Sequence, residues 1–386
     1  MRGCFIALAV ALASVSGAWA EDGAALVARF ECNRCHEADL WPPAEPNKQC
    51  LGCHQRILAG DFPGAEAHLA RWQARLTSLN TVPSLRAVGQ RFKRSWLVAF
   101  LGAPEDLRPA LPAMMPRFAF APGEAATLAA YLAPEDRTAS EVLPGDPARG
   151  RTRFGALGCG LCHAFTGADL PTLQPPTLPP AVLQVAMPLA PDLRITRARF
   201  QPQVLAAWIR KPVGLKADTV MPTLPMSAED AQDLAAWILT APLTPPAPPK
   251  VPPLPPPLDR KVAWPEVEAR VFKHMCWHCH SEPAFALGDG GPGNTGGFGF
   301  PGRGLNLASY AGISSGLVDA TTHTRRSVFA PGPDGTPLLV LALWARHWEV
   351  AGKPIPGVRG MPLGLPPLPM EDIQRVLTWV AQGRPR

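Results

Sequence analysis

The 386-residue chain is short of three things. Beyond residue 20, no apolar stretch approaches the roughly 18 residues needed to span a bilayer; the nearest, 338–344, is far too short. Lysine supplies only 8 of the 37 basic residues, and no basic run suits a phosphate backbone, so nucleic-acid binding has no support. No serine–histidine or paired-carboxylate arrangement stands out, which leaves hydrolytic chemistry without a visible centre. Proline is in excess: there are 48, with 34 glycines, against background levels of about 5% and 7%. Proline interrupts helices and sheets alike, so short elements and much irregular backbone are expected. At 47% hydrophobic the chain is still too apolar to be disordered as a whole. Its length allows two or three domains, packed around something that supplies the core short elements cannot build.

Residues 1–20 (MRGCFIALAVALASVSGAWA) combine one arginine, an apolar run and Ala-Trp-Ala. They read as a secretory signal cleaved after Ala20, with an uncleaved anchor as the competing reading. The mature protein is then expected to be soluble and exported, in the periplasm or an equivalent compartment. The formal charge of +6 falls to +5 when Arg2 leaves with the signal.

The eight cysteines beyond the signal form four pairs with one continuation: Cys32-Asn33-Arg34-Cys35-His36, Cys50-Leu51-Gly52-Cys53-His54, Cys159-Gly160-Leu161-Cys162-His163 and Cys276-Trp277-His278-Cys279-His280. C-x-x-C-H is the haem c attachment signature. Two thiols add across the two haem vinyl groups, and the adjacent histidine is then held beneath the iron as proximal ligand. Disulfides suit an exported chain but do not require a histidine after every second cysteine. Cys32, Cys35, Cys50 and Cys53 come close to a zinc-ribbon spacing, yet both halves carry the trailing histidine and the two later motifs have no partner pair. The expectation is four covalent haems c, on His36, His54, His163 and His280. At about −1 per ferric haem, they bring the charge near neutrality, so net charge predicts no acidic or basic partner.

Residues 82–104 (VPSLRAVGQRFKRSWLVAFLGAP) and 190–212 (APDLRITRARFQPQVLAAWIRKP) are identical at eight of 23 ungapped positions. Each has a Pro-x-Leu turn, an Arg-Phe pair and a short amphipathic helix ending at proline. Met115-Pro116 and Met221-Pro222 follow, then matching closing helices, Leu128-Ala129-Ala130-Tyr131-Leu132 and Leu234-Ala235-Ala236-Trp237-Ile238. The C-terminal third repeats only the ending, Met361-Pro362 and a helix bearing Trp379.

This order of features resembles the class I cytochrome c family over 24–133, 147–240 and 262–384, with the full pattern in the first two units. The resemblance implies an all-α fold of three small helical domains wrapped around haems: a dihaem domain over 21–133 and monohaem domains over 147–240 and 259–386. Residues 134–146 and 241–258 connect them. The second connector has ten prolines in 18 residues. It is expected to form a polyproline II spacer of up to roughly 55 Å, with a docking motif for a proline-binding partner as the alternative.

The family pattern also implies distal methionines: Met115 for the haem on His36, Met221 for that on His163 and Met361 for that on His280, with Met114, Met226 and Met370 as rivals. The haem on His54 is then an insertion in the first domain. Its distal candidate is His68, against a vacant site. Arg91, Arg199, Arg325 and Arg326 are candidates to pair with haem propionates. His274, His278, His323 and His347 are spare histidines of the third unit, where 287–304 holds nine glycines. The function implied is periplasmic electron transfer, from a dehydrogenase or quinol-oxidising complex towards a downstream acceptor. The protein would be soluble or peripherally attached to a membrane complex. The alternative is a haem enzyme or gas sensor with one open iron, in the His54 site or the third domain. A third is that the C-terminal unit mainly docks a partner.

Overall fold

The computed structural model describes residues 22–64, 66–105, 107–111, 115–135, 144–175, 177–282 and 296–386. Residues 1–20, read above as a secretory signal, Met114, most of the first connector and much of the glycine-rich stretch lie outside the described residues. The chain is mostly helical, 45% helix against 4% strand. Among the described residues, no helix is long and apolar enough to cross a membrane.

In the first segment α1 spans 22–30, followed by α2 (Cys50–Ala59), α3 (Glu66–Arg75), α4 (Val88–Arg91), α5 (Arg94–Gly102) and α6 (Glu124–Leu132). The second holds α7 (Pro147–Ala156), α8 (Pro180–Ala186), α9 (Thr196–Arg199), α10 (Pro202–Arg210) and α11 (Ala228–Thr240). The third holds α12 (Trp264–Val267), α13 (Tyr310–Ser314), α14 (Leu338–Val350) and α15 (Met370–Ala381). It also has two short antiparallel pairs: β1 (Gly296–Gly297) with β2 (Phe300–Pro301), and β3 (Leu317–Val318) with β4 (Arg325–Arg326).

A chain with 48 prolines becomes this helical by placing them at helix starts. Pro147, Pro180, Pro202 and Pro265 sit in the first turn, where an amide has no intrahelical partner to lose. Asp146 caps α7, its carboxylate accepting from Ala148 N at 2.8 Å, and Ser227 and Asp230 close a capping box on α11.

Each segment opens and closes with helices that cross. At Gly150 on α7, a Cβ would lie 2.0 Å from the Asp233 carbonyl oxygen and 2.9 Å from Trp237 Cβ on α11, so only glycine admits the approach. Phe154, one turn on, meets Trp237 with ring centroids 4.6 Å apart. Gly23 stands in the same relation to Tyr131, whose Cβ would be 2.3 Å from an added one. Both glycines lie nine residues before the first cysteine of a motif. In the third segment that place is Val267, and α12 runs on as a π-helical turn over Glu268–Phe272. There Trp379 is fully buried among Trp264, Phe272 and Phe329. The apolar core is therefore two clusters, one continuous from Leu26 to Ala241 and one from Val262 to Trp379.

The two copies of the repeat meet across a local two-fold axis. Phe92 and Phe200 form an antiparallel bridge, with rings 5.2 Å apart. Lys93 N donates to Arg199 O and Gln201 N to Arg91 O, both at 2.9 Å. Residues 93 and 201, and 91 and 199, occupy equivalent places in the repeat, so the two bonds are exchanged by the axis. The side chains follow the same rule: Lys93 Nζ donates to Arg197 O and Gln201 Nε2 to Gly89 O, both at 2.8 Å.

The proline-rich connector is shorter in reach than its composition suggests. Thr244 N donates to Gly167 O at 2.9 Å. From Pro252 onward the chain lies on the third segment: Trp344 Nε1 donates to Pro252 O, Gln374 Nε2 to Pro256 O, and Leu258 N to Thr378 Oγ1. The free span is 245–251, about 20 Å at polyproline II rise rather than the 55 Å of the whole connector. Polyproline backbone has no internal hydrogen bonds, so its carbonyls accept from whichever side chains face them. The third segment also contacts the first directly. Phe298 N donates to Glu31 Oε2 at 3.0 Å, the Arg34 guanidinium stacks 4.9 Å from the Phe298 ring, and Arg117 Nη2 donates to Glu349 O at 2.8 Å.

Candidate functional site

Three of the C-x-x-C-H motifs form one local structure, a 3₁₀ turn over Cys32–Arg34, Cys159–Leu161 and Cys276–His278. In each, the histidine amide closes the turn onto the first cysteine's carbonyl: His36 N on Cys32 O at 2.9 Å, and His163 N on Cys159 O and His280 N on Cys276 O at 3.0 Å. The second motif instead opens α2, with the same i to i+4 spacing inside a regular helix. Either way both thiols and the imidazole emerge on one side of a single turn.

The rings are aimed by distant loops. Nδ1 of His36 bonds Pro83 O at 2.8 Å, that of His163 bonds Pro191 O at 2.8 Å, and that of His54 bonds Leu79 O at 3.0 Å. A carbonyl only accepts, so each Nδ1 carries the proton and each Nε2 keeps its lone pair. His280 is the exception: the Leu305 backbone favours its protonated form, but Nδ1 makes no well-formed hydrogen bond. Burial pushes all four imidazoles below the usual histidine pKa, with these carbonyls opposing, so they are neutral at neutral pH.

The aiming loops share a device. Ser84 Oγ accepts from Arg86 N, Asp192 Oδ1 from Arg194 N at 2.9 Å, and Asn306 Oδ1 from Ala308 N at 2.9 Å. The next amide then reaches back to the motif: Leu85 N to Glu37 O, Leu193 N to Ala164 O, Leu307 N to His280 O. Leu305-Asn306-Leu307 thus occupies in the third segment the place of Pro83-Ser84-Leu85 and Pro191-Asp192-Leu193. Sequence reasoning missed it by looking for proline; the polar residue flanked by leucine was the available signal.

The eight thiols are unpaired by disulfides. Burial raises Cys32, Cys53, Cys159 and Cys279 to about 11 and Cys276 to about 12, so these are thiols at neutral pH. Cys50 is held low by a hydrogen bond with Cys35 and by Arg34, which brings the first two motifs into contact. Among the described residues, no three His, Cys, Asp or Glu side chains converge as a metal cluster.

Near the two-fold axis Arg91, Arg108 and Arg199 gather. Arg91 is 2% exposed and spends Nη1 on Arg86 O and Leu215 O. Burial, with Arg108 and Arg91 nearby, pushes the Arg199 pKa down, and its Nε is buried without a hydrogen bond. A guanidinium keeps its proton even so. Among the described residues no carboxylate forms an ion pair with the three, and Asp218, whose charge acts on Arg91, is itself paired with Lys216. Such a cluster fits an anionic group not supplied by protein, as haem propionates are. Arg325 and Arg326, also singled out from the sequence, are exposed strand residues, and Arg325 is spent on the Ser315 and Gly316 carbonyls.

The distal candidates stand as follows. Met115 and Met361 pack half-buried against the two apolar clusters, and so do the rivals Met226 and Met370. Met221 is half-buried, its amide donating to Thr219 Oγ1 at 3.2 Å. The Met361 loop is held from beneath by an ion pair of Arg346 and Glu349, 3.0 Å apart with side chains 3% and 6% exposed. Glu349 Oε1 accepts from Gly360 N at 2.7 Å, and Met361 N donates to Ala342 O at 2.8 Å. His68 is on α3, where the ring it meets is Trp72, 5.9 Å away. The ring that His54 meets is His278, at 6.1 Å with planes tilted by 48°.

No family model matches the chain, and neither the curated proteins nor the solved structures contain a match.

Proposed function

We propose that the chain is a tetrahaem c-type cytochrome passing single electrons between redox proteins in the periplasm. The observation that supports this most is a recurrence: two thiols and an imidazole on one turn at all four motifs, with the ring bonded at three of them to a backbone carbonyl 25 to 47 residues downstream and the Leu305 backbone beside the fourth. In this reading Cys32, Cys35, Cys50, Cys53, Cys159, Cys162, Cys276 and Cys279 hold the haems. His36, His54, His163 and His280 are the proximal ligands. Met115, Met221 and Met361 ligate from the other side in three units, each a small helical domain around its haem. Bound haem c supplies a one-electron couple whose potential a thioether ligand raises by favouring ferrous iron.

The remaining work belongs to the chain. The carbonyls fix the tautomer and rotation of the His36, His54 and His163 imidazoles. Phe154, Phe165 and Trp237 exclude water beside the third motif, and Arg91, Arg108 and Arg199 offset the propionate charge. Donor and acceptor are redox proteins, and the proline-rich connector and third unit offer a docking surface. The competing reading, a haem enzyme or gas sensor, requires one open iron.

The test is a carbon monoxide titration of the fully reduced, haem-loaded protein, normalised to pyridine haemochrome. Four haems per chain and an unchanged spectrum are expected of a carrier. Fewer than four haems would sink the tetrahaem reading, and tight binding at one haem in four would favour the enzyme or sensor.

A further inference from the structure

We infer that His278, inside the fourth motif, is the second axial ligand of the haem attached at Cys50 and Cys53, a place for which the sequence pointed to His68. The inference rests on the tetrahaem reading above.

Three observations carry it. First, two imidazoles on opposite sides of one iron, with metal–nitrogen bonds of about 2 Å each, hold their ring centres about 6 Å apart. His54 and His278 are 6.1 Å apart. Second, both rings have nitrogen free for a metal. His54 spends Nδ1 on Leu79 O and keeps Nε2. His278 has the Trp277 and His54 rings and the Arg34 guanidinium about it, and among the described residues no hydrogen bond engages its ring nitrogens. Third, the contact is not incidental to a loose domain. Glu31 with Phe298 N, Arg34 over Phe298, and Arg117 with Glu349 O seat the third segment against the first. His68 has no comparable approach, since its ring packs on Trp72 within its own helix.

The consequence is a ligand supplied across domains. The turn that carries the fourth haem covers the open side of the second, so these two become neighbours although their motifs are more than two hundred residues apart in the chain. The proline-rich connector then serves to deliver His278 to its seat and not to hold the third unit at a distance. Bis-imidazole ligation also places this haem at a lower potential than its methionine-ligated companions.

The experiment uses the full-length, haem-loaded protein and the variants His278→Ala, His278→Met and His68→Ala, each checked for haem content. Near-infrared magnetic circular dichroism of the oxidised wild type is expected to count one bis-imidazole haem in four. Reduced His278→Ala should keep four haems and bind carbon monoxide at one of them. His278→Met should stay closed to carbon monoxide, convert the bis-imidazole band to a His–Met band and raise one potential. His68→Ala should match the wild type. The inference is overturned if the wild type has no bis-imidazole haem, if His278→Met leaves that band unchanged, or if His68→Ala is the variant that opens a haem. A wild-type haem count below four would instead defeat the cytochrome reading itself.

Discussion

The second segment and the third solve one packing problem with different residues. Between α7 and α11, Gly150 lets two backbones touch and Phe154 and Trp237 fill the space beside them. Between α12 and α15, Val267 stands where the glycine was, the helix relaxes into a π-turn, and the rings of Trp264, Phe272, Tyr310 and Phe329 around Trp379 take up the volume. The aiming loops differ likewise. Proline supplies the carbonyl over His163 and leucine the backbone over His280, yet a polar side chain locks both turns. A carbonyl at the right height and a side chain to hold the turn are what the geometry requires. Proline is one way to provide them.

The sharpest break in this comparison is His163→Ala. On the tetrahaem proposal, losing this proximal ligand should remove one haem of four and unfold the second segment, since short proline-capped helices bury too little apolar surface without a cofactor core. Haem content and far-ultraviolet circular dichroism would show it; a fully loaded, folded variant would contradict the ligand assignment.

Next in size is Glu349→Ala, which leaves Arg346 a buried, unpaired cation and frees Gly360 N beside Met361. A loss of about 3–5 kcal/mol is expected, localised to the third segment. Denaturant unfolding followed by tryptophan fluorescence would measure it, and a near-neutral result would mean that the pair does not support the loop.

Gly150→Val tests whether the two crossings are interchangeable. The added Cβ has a backbone oxygen 2.0 Å away, which cannot swing aside, so a cost of about 3 kcal/mol is expected. Stability within 1 kcal/mol of wild type, read by the same unfolding assay, would show that α7 can loosen as α12 has.

Gln201→Ala concerns only the join between the first two segments. It withdraws a donor from the Gly89 and Phe92 carbonyls, for a loss of about 1–2 kcal/mol. Hydrogen exchange at the Lys93 and Gln201 amides should rise while the helix crossings stay protected. Unchanged exchange there would deny the side chain its role.

The smallest effect expected is of pH. Arg153 and Arg149 hold the Asp230 and Asp233 carboxyls below their usual range, chiefly by hydrogen bonding, in pairs that tie α7 to α11. A lowered carboxyl stabilises the fold above its unfolded value of about 4, and that contribution is lost as pH falls through the lower folded value. Glu266 on α12 is held low chiefly by Arg260, and Arg375 on α15 makes the corresponding link to it across the helices. With two such links against one, the second segment should melt before the third below about pH 4. Thermal scans at stepped pH would reveal the reverse order if packing outweighs these pairs.

Much of this was legible along the chain because it depends on near neighbours. The C-x-x-C-H turns close over four residues. Helix starts follow from Pro147 and Ser227, and the repeat was visible as identical letters. Gly23 and Gly150 were open to the same reading, at a constant distance before the cysteines. The Leu305 loop was hidden because its function lies in a backbone oxygen, which every residue type carries. The docking of the connector was hidden for the same reason: its prolines offer carbonyls, and only the fold says that Trp344 and Gln374 will meet them.

The order of residues alone determined where the thiols, the imidazoles and the short helices would be, because turns and caps are set by side chains within a few positions of one another. The tertiary structure decided how those parts face one another: the two-fold join at Phe92 and Phe200, the clustered guanidiniums beside it, and His278 brought to His54. Such contacts join residues dozens to hundreds of positions apart, and their energy comes from burial and hydrogen bonding that exist only once the chain has closed on itself.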